Sequence, residues 1–513
     1  MTSPTLPRLS RPLLRTLRGR ADVPVGLPDE SLLDLPEKAV QFGTGAFLRG
    51  FVDYFVDEAN RRGLFGGRVV MVGSTGSGRD QALTGQDGLY TLSAQGIEGG
   101  AATQAHRVIS SVSRALSAKD DWDAVLACAR SPELELVFSN TTEVGIALDD
   151  ADTSAEARPP RSFPGKLARF LLERARAFDF APDKAVVVIP CELIEANGDR
   201  LREIVLALAE RWGLEPEFAR WVRESVPFCN TLVDRIVPGA PSGEQAEALR
   251  RTLGYRDDLH TMCEVYRLFA IEAPAPVRER LARFAGADPG IVLTDDVRPY
   301  RERKVRLLNA AHTIMVPAAI LSGVQTVQQA VEHEVVGRFL RRTLFDEIVP
   351  VVDVPGAEAF ARDVLDRFAN PYIRHALFDI TLQGTMKMRV RVVPLIIRYA
   401  ERVGQVPQSL AFGFAANLLF MRGDAQAARR AAGQGVPADD QGERVRALWD
   451  SAGGDAGVAR AACADAALWG YDLTTVPGFV EAVTQHLARM ARDGVPAALE
   501  AHLSAAPALA AAR

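Results

Sequence analysis

Cysteine is scarce in this chain of 513 residues: Cys128, Cys191, Cys229, Cys263 and Cys463 are odd in number and contain no C-x-x-C pair. That argues against a disulfide framework and against a structural zinc site. Histidine is nearly as sparse, with seven residues and no H-E-x-x-H or other tight pair, so no metal site is signalled and metal-independent chemistry is expected. A basic excess is missing too. The net charge is −5, which leaves nucleic acid without an electrostatic footprint. No apolar run approaches the ~20 residues that span a bilayer, so no membrane partner is expected and the chain reads as cytoplasmic. No obligate protein partner is evident in the sequence.

What is present is an ordinary globular mixture, 48% hydrophobic and 24% charged, too long for one core and expected to form two or three domains. Met1 to Ala21 holds five arginines and no acid, a faint likeness to a transit peptide. Pro4, Pro7 and Pro12 interrupt it and no apolar segment follows, so residues 1–36 are expected to be a mobile basic tail.

The first patterned unit begins with Ala39-Val-Gln-Phe42, short and apolar like a buried parallel strand. It meets Gly43-Thr-Gly45. Leu48, Phe51, Val52, Phe55 and Ala59 then follow at helical spacing as far as Gly63, and Arg68-Val-Val-Met-Val72 reads as a second strand. Further apolar strands are expected at 134–138 and 185–189, and helices at 166–177 and 200–210. This alternation predicts α/β architecture: a doubly wound, Rossmann-like dinucleotide-binding domain over 37–297, with its nucleotide turn at 39–50. From 298 to 513 the pattern is mainly α-helical, broken at Pro355, Pro371 and Pro407, and a catalytic and substrate domain is expected there. An Ala/Gly/Asp-rich stretch at about 424–457 reads as a surface insertion.

In a doubly wound fold the turn after the first strand receives a pyrophosphate. Gly43-x-Gly45 supplies two of the fingerprint glycines, and the third position is Leu48. The acid usual at the end of the second strand is absent, since Val72 is followed by Gly73-Ser-Thr, and the pattern leaves NAD and NADP both open. Asn140-Thr-Thr-Glu143 and Cys191-Glu192 follow the third and fourth strands, as cofactor ligands or simply as helix caps. Lys304, Asn309 and His312 share one side of a helix at 100° per residue: Asn309 lies about 140° and His312 about 80° from Lys304. An amine, an amide and an imidazole there suit carbonyl reduction: one moves the proton, one holds the oxyanion, one orients a hydroxyl. The alternative is a solvated basic face with a core histidine.

The segments Gln41-Phe-Gly-Thr-Gly-Ala-Phe-Leu-Arg49, Gln86-Asp-Gly-Leu-Tyr90, Ser139-Asn-Thr-Thr-Glu-Val-Gly145, Pro190-Cys-Glu-Leu193 and Thr231-Leu-Val-Asp-Arg-Ile236 closely resemble the mannitol dehydrogenase family of long-chain polyol dehydrogenases. So do Asp295-Asp-Val-Arg-Pro-Tyr-Arg-Glu-Arg-Lys304, the K-x4-N-x2-H pattern that begins there, Asn370-Pro-Tyr-Ile-Arg-His375 and Trp469-Gly-Tyr-Asp-Leu-Thr-Thr-Val-Pro477. The resemblance covers nearly the whole chain and is strongest to members acting on sugar acids. It implies NAD as cofactor, no catalytic metal and a small-molecule sugar-acid substrate, with D-tagaturonate and D-altronate interconverted. It implies Lys304 as general acid/base, Asn309 on the oxyanion and His312 positioning substrate. Phe42, Gly43, Thr44, Gly45, Ala46, Phe47, Arg49, Asn140, Thr141, Thr142 and Glu143 are the expected cofactor residues. Asp234, Arg374, His375 and Lys387 are the expected substrate residues, Lys387 foremost for a carboxylate. Leu193 stands where mannitol-type relatives place a second oxyanion donor, so that donor has no counterpart here. The alternatives are fructuronate/mannonate or mannitol/fructose chemistry, and, in another class, a catalytically silent NAD-binding sensor.

Overall fold

The computed structural model describes residues 6–20, 22–73, 79–141, 145–431 and 435–505. The chain divides into two units, Met1–Gly96 with Ala102–Val297, and Ile97–Ala101 with Arg298–Arg513.

The first unit contains strands β1 (Glu37–Phe42), β2 (Arg68–Gly73), β3 (Tyr90–Glu98), β4 (Ala101–Ile109), β5 (Val112–Ser117), β6 (Leu136–Ser139), β7 (Val187–Pro190), β8 (Asn230–Asp234), β9 (Thr261–Glu264), β10 (Leu268–Glu272) and β11 (Ile291–Thr294). Its central sheet runs β5-β2-β1-β6-β7 with every pair parallel. Chain order therefore reverses between β1 and β6, where Phe42 lies beside Val72 on one side and Ser139 on the other. Both faces are covered, which explains the continuous apolar runs. Val40, Phe42, Val70, Val137 and Val188 pack toward helices Phe163–Ala177 and Asn197–Arg211. Ala39, Val69, Leu136 and Val187 face the helix Val52–Arg61 on the other side. Two three-stranded sheets, β11-β10-β8 and β4-β3-β9, complete the unit.

The helix expected across Leu48 to Ala59 is broken into Ala46–Gly50 and Val52–Arg61, with Phe51 at φ −132° and ψ −79°. Two side chains explain the break. The Tyr90 hydroxyl donates to the Arg49 carbonyl at 2.8 Å, and Arg235 Nη1 donates to that of Gly50 at 2.8 Å, so these oxygens are held from outside the helix. The N-terminal segment also differs from expectation. Rather than a mobile tail, it forms a helix, Arg11–Arg18, whose N-cap Ser10 accepts the Leu13 N–H. Its Leu14 and Leu17 join Leu9, Leu33, Leu89 and Leu253 in a buried cluster.

The second unit is helical. Helix Gln408–Phe420 is buried along nearly its whole length. Gly413 lets Ile314 of the helix Ala310–Leu321 come close, since a Cβ there would lie 2.3 Å from Ile314 Cγ1. Among the described residues three π-helical turns interrupt the α-helices, at Lys304–Asn309, Thr343–Ile348 and Met388–Val392. The 424–457 stretch is not a loose surface insertion: it contributes to helices Gly423–Ala431, Gly442–Ser451 and Asp455–Ala464, and Val445 is fully buried. Its alanines are strong helix formers.

Candidate active site

At the carboxyl ends of β1 and β6 the first unit opens a cavity of about 840 Å³. Phe42, Gly43, Thr44, Gly45, Asn140 and Thr141, six of the residues expected at the cofactor, line it. The two glycines serve different ends. Gly43 has φ +130°, and a Cβ would lie 3.0 Å from Leu48 Cδ1 and 3.1 Å from the Asn140 carbonyl. Leu48, at the third fingerprint position, thus fills the space beside the first glycine. Gly45 has an ordinary φ of −66°, and a Cβ on it would meet nothing within 4 Å. Neither backbone nor packing among the described residues demands glycine at 45, which leaves the turn open for a ligand to approach. The carbonyls of the turn are held by side chains behind it. Gln41 Nε2 donates to the Gly43 oxygen at 3.1 Å, and Arg49 Nη1 to the Thr44 oxygen at 2.6 Å. With those oxygens engaged, the turn suits an anion, and the residues fit a dinucleotide pyrophosphate.

Ala46, Phe47 and Arg49 do not line this cavity. Phe47 stacks on Phe51 at 5.0 Å, and Arg49 is a buried support of the turn. Thr142 and Glu143 lie outside the described residues. In the described part of the other two polar clusters the side chains bond across from one strand end to the other rather than cap a helix. Asn140 Nδ2 donates to the Cys191 carbonyl at 2.7 Å, while the buried Glu192 accepts from Ser139 Oγ at 3.1 Å and Thr141 N–H at 3.0 Å. Burial raises the Glu192 pKa against the pull of those donors.

Sequence reasoning missed Arg161, Ser162, Phe163 and Lys166, which line the far wall from the start of helix Phe163–Ala177. Their local signal was Ser162-Phe-Pro-Gly, a cap followed by proline, with Ser162 Oγ accepting the Gly165 N–H at 2.9 Å. It also missed Asp80. A Cβ at Gly73 would lie 2.8 Å from Asp80 Oδ1, so a carboxylate does stand at the end of β2, supplied from the next helix.

Behind the turn, Asp53 is fully buried beside Gln41, Arg49 and Tyr90. Burial pushes its carboxyl up to about 7, against the opposing effects of those three neighbours.

In the second unit Lys304 opens a π turn and Asn309 closes it, and the next amide, Ala310, bonds the Val305 carbonyl five residues back. Residues five apart in such a turn lie over one another. The 140° separation expected for an α-helix is therefore replaced by a common face. His312, on the helix that follows, is buried with its ring stacked on Phe368 at 3.9 Å and edge-on to His375 at 5.4 Å. Its Nε2 has no hydrogen-bond partner among the described residues. Burial, reinforced by His375, Arg367, Arg391 and Lys387, holds its pKa well below the usual value and keeps the ring neutral. Arg306 ties two of the π turns together, donating to the Val390 and Arg391 carbonyls at 2.6 and 3.0 Å. Lys387 is half-buried and donates to the Ile380 carbonyl at 2.9 Å. Arg374 is exposed and His375 half-buried. Asp234 belongs to the first unit, buried at the end of β8. Its neighbour Arg235 is taken up by the Glu264 and Gly50 carbonyls and the Tyr54 ring, a structural role. Among the described residues no group of three or more His, Cys, Asp or Glu side chains is placed to hold a metal ion.

A doubly wound unit with an anion-ready glycine turn, and a helical unit carrying lysine, asparagine and a neutral histidine, define a dinucleotide-dependent dehydrogenase. Comparison with known proteins specifies the family. Residues 37–282 match the mannitol dehydrogenase Rossmann domain and residues 296–491 the mannitol dehydrogenase C-terminal domain. The chain belongs to the mannitol dehydrogenase family. It is 43% identical to an altronate oxidoreductase of Bacillus subtilis (strain 168), over 91% of this chain and 95% of that one. It is 42% identical to an altronate oxidoreductase of Yersinia pestis bv. Antiqua (strain Nepal516), over 91% and 97%. Its fold is similar to Pseudomonas fluorescens mannitol 2-dehydrogenase, solved as a ternary complex with NAD and D-mannitol (TM-score 0.67, 25% identity, 97% of this chain and 100% of that one). A D-sorbitol dehydrogenase in substrate-free form shares the fold (TM-score 0.78, 24% identity, 96% and 100%).

Proposed function

We propose that this protein is an NAD-dependent altronate oxidoreductase, interconverting D-altronate and D-tagaturonate in the cytoplasm. The observation that carries this is the end-to-end likeness to altronate oxidoreductases, joined to a Lys304/Asn309/His312 face. Gly43, Thr44, Gly45, Asn140 and Thr141 hold the cofactor's phosphates and nearby sugar, with Gln41 and Arg49 fixing the turn from behind. Asp80 at the end of β2 is placed for the adenosine ribose hydroxyls, which favours NAD over its phosphorylated counterpart. When bound, the nicotinamide carries the hydride.

The chain's own residues manage the proton and the oxygen. In ketone reduction the Lys304 ammonium donates a proton to the carbonyl oxygen, and in alcohol oxidation its neutral amine accepts the hydroxyl proton. Asn309 donates a hydrogen bond to the same oxygen as charge develops on it. The neutral His312 presents Nε2 to a substrate hydroxyl, which satisfies an otherwise unpartnered buried atom. The test is NADH consumption with a panel of ketouronates and neutral ketoses. The highest kcat/KM is expected for D-tagaturonate, and reduction of neutral ketoses alone would overturn the assignment.

A further inference from the structure

Cations withdrawn from water are normally paired with acids, because an uncompensated charge is costly to desolvate. Around the π turns of the second unit that rule is mostly kept. Arg306 and Arg398 both meet Glu302, at 2.9 and 2.7 Å. Two neighbours depart from it. Lys387 and Arg391 lie four positions apart across the π turn Met388–Val392, and burial lowers the pKa of both. Lys387 makes its hydrogen bond to a neutral carbonyl, that of Ile380. The Asp439 carboxylate whose charge it feels is engaged by the backbone N–H groups of Thr385 and Gln441, at 2.7 and 2.9 Å. Arg391 uses its guanidinium for one bond, to Thr313 Oγ1 at 3.3 Å, and no acid among the described residues pairs with it. A guanidinium has five N–H donors in a planar fork, so most of its capacity is unspent.

The position of this pair gives it meaning. Both cations act on His312, and Thr313 Oγ1 in turn donates to the Asn309 carbonyl at 2.8 Å. Positive charge that no acid among the described residues meets in an ion pair thus gathers beside the face that carries the proposed chemistry. We propose that Arg391, seconded by Lys387, receives the carboxylate of the substrate and selects a keto-acid over a neutral ketose. The inference rests on the sugar-acid assignment above. Arg391 supplies the bidentate geometry that a carboxylate fits, and Lys387 adds a point charge.

The experiment compares wild type, Arg391→Gln and Arg391→Lys, using D-tagaturonate and the neutral ketohexose that carries a hydroxymethyl group in place of the carboxylate. The ratio of the two kcat/KM values should fall roughly 10- to 100-fold in Arg391→Gln, the size of a lost hydrogen bond to a charged group. Most of the fall should appear in KM, and Arg391→Lys should lie between. Calorimetric titration with D-altronate should show the same order of weakening, a readout that does not need turnover. An unchanged ratio, or an equal loss on both substrates, overturns the role of Arg391 while leaving the enzyme assignment intact. A wild-type enzyme that reduces only neutral ketoses overturns the assignment and this inference with it.

Discussion

In the first unit the candidate site consists of what side chains leave open: Gly45 has nothing within 4 Å of where its Cβ would be, and buried Gln41 and Arg49 hold the turn's carbonyls. In the second unit the candidate site consists of side chains, carried on helices underwound at Lys304–Asn309 and Met388–Val392. A site made of backbone tolerates many changes in its surroundings and fails when atoms are added. A site made of side chains fails when atoms are removed. Substitutions in the two units should therefore separate cofactor binding from chemistry.

The largest effect should come from the second unit. Lys304→Ala is expected to lower kcat by roughly 10²–10⁴-fold, the usual worth of a general acid/base, with NADH affinity nearly unchanged. The limb of the pH–rate profile that reports the base should vanish. Near-normal turnover with the same pH profile would return Lys304 to an ordinary basic helix face.

The first unit should respond in the opposite sense. Gly45→Val places methyl groups where the proposed site would seat the pyrophosphate, and should raise the NADH dissociation constant at least about tenfold, or about 1.4 kcal/mol. Turnover at saturating cofactor should suffer far less. Unchanged NADH titration in a folded variant would move the cofactor site away from this turn. Asp80→Ala should be milder, weakening NADH several-fold and narrowing the preference over NADPH, because a typical hydrogen bond contributes about 0.5–1.5 kcal/mol net. Equal loss for both cofactors would remove Asp80 from the ribose site.

How far the sequence carried this picture also differs between the units. The βαβ unit was legible because its strands are buried on both faces and glycine punctuates its turn. The edge strand β4 was not, since Ala101, Ala102, Gln104 and Ala105 are exposed and leave no apolar period to read. Arg49 was expected at the cofactor and instead stands behind the turn, a distinction that spacing cannot make. Ser162 and Lys166 reach the cavity from more than a hundred residues away, through the sheet order alone. In the second unit the residue types were legible but the geometry was not. Nothing in Lys304-Val-Arg-Leu-Leu-Asn309 announces a π turn, which narrows the angle between its two ends beyond what an α-helix gives. The N-terminal helix did leave a signal: Ser10-Arg-Pro ahead of Leu13, Leu14 and Leu17 is a capped amphipathic start, masked by the prolines around it.

The effect expected to be smallest in catalysis tests the support behind the turn. Among the described residues Gln41 Oε1 and Asp53 Oδ1 are both buried without a hydrogen-bond partner, although the two side chains adjoin. Turning the Gln41 amide over would set its oxygen against the Gly43 carbonyl, which its Nε2 now serves. The Tyr90 hydroxyl, 3.3 Å from Asp53 Oδ2, has the Arg49 carbonyl as its closer acceptor at 2.8 Å. One proton on Asp53 completes the set, in keeping with a pKa raised to about 7. The sign follows from linkage. A carboxyl whose folded pKa lies above its unfolded value favours the fold below the unfolded pKa, and that contribution is lost as pH climbs to the folded one. Asp53→Asn keeps the neutral shape and cannot ionise. Its stability relative to wild type should therefore rise between about pH 4 and pH 7 and then level off, by a few kcal/mol at most. Denaturant unfolding of both proteins across that range reads the difference directly, and kcat at neutral pH should change only a few-fold. A difference that does not vary with pH would mean that Asp53 is ionised like an ordinary aspartate, with its charge met by Arg49.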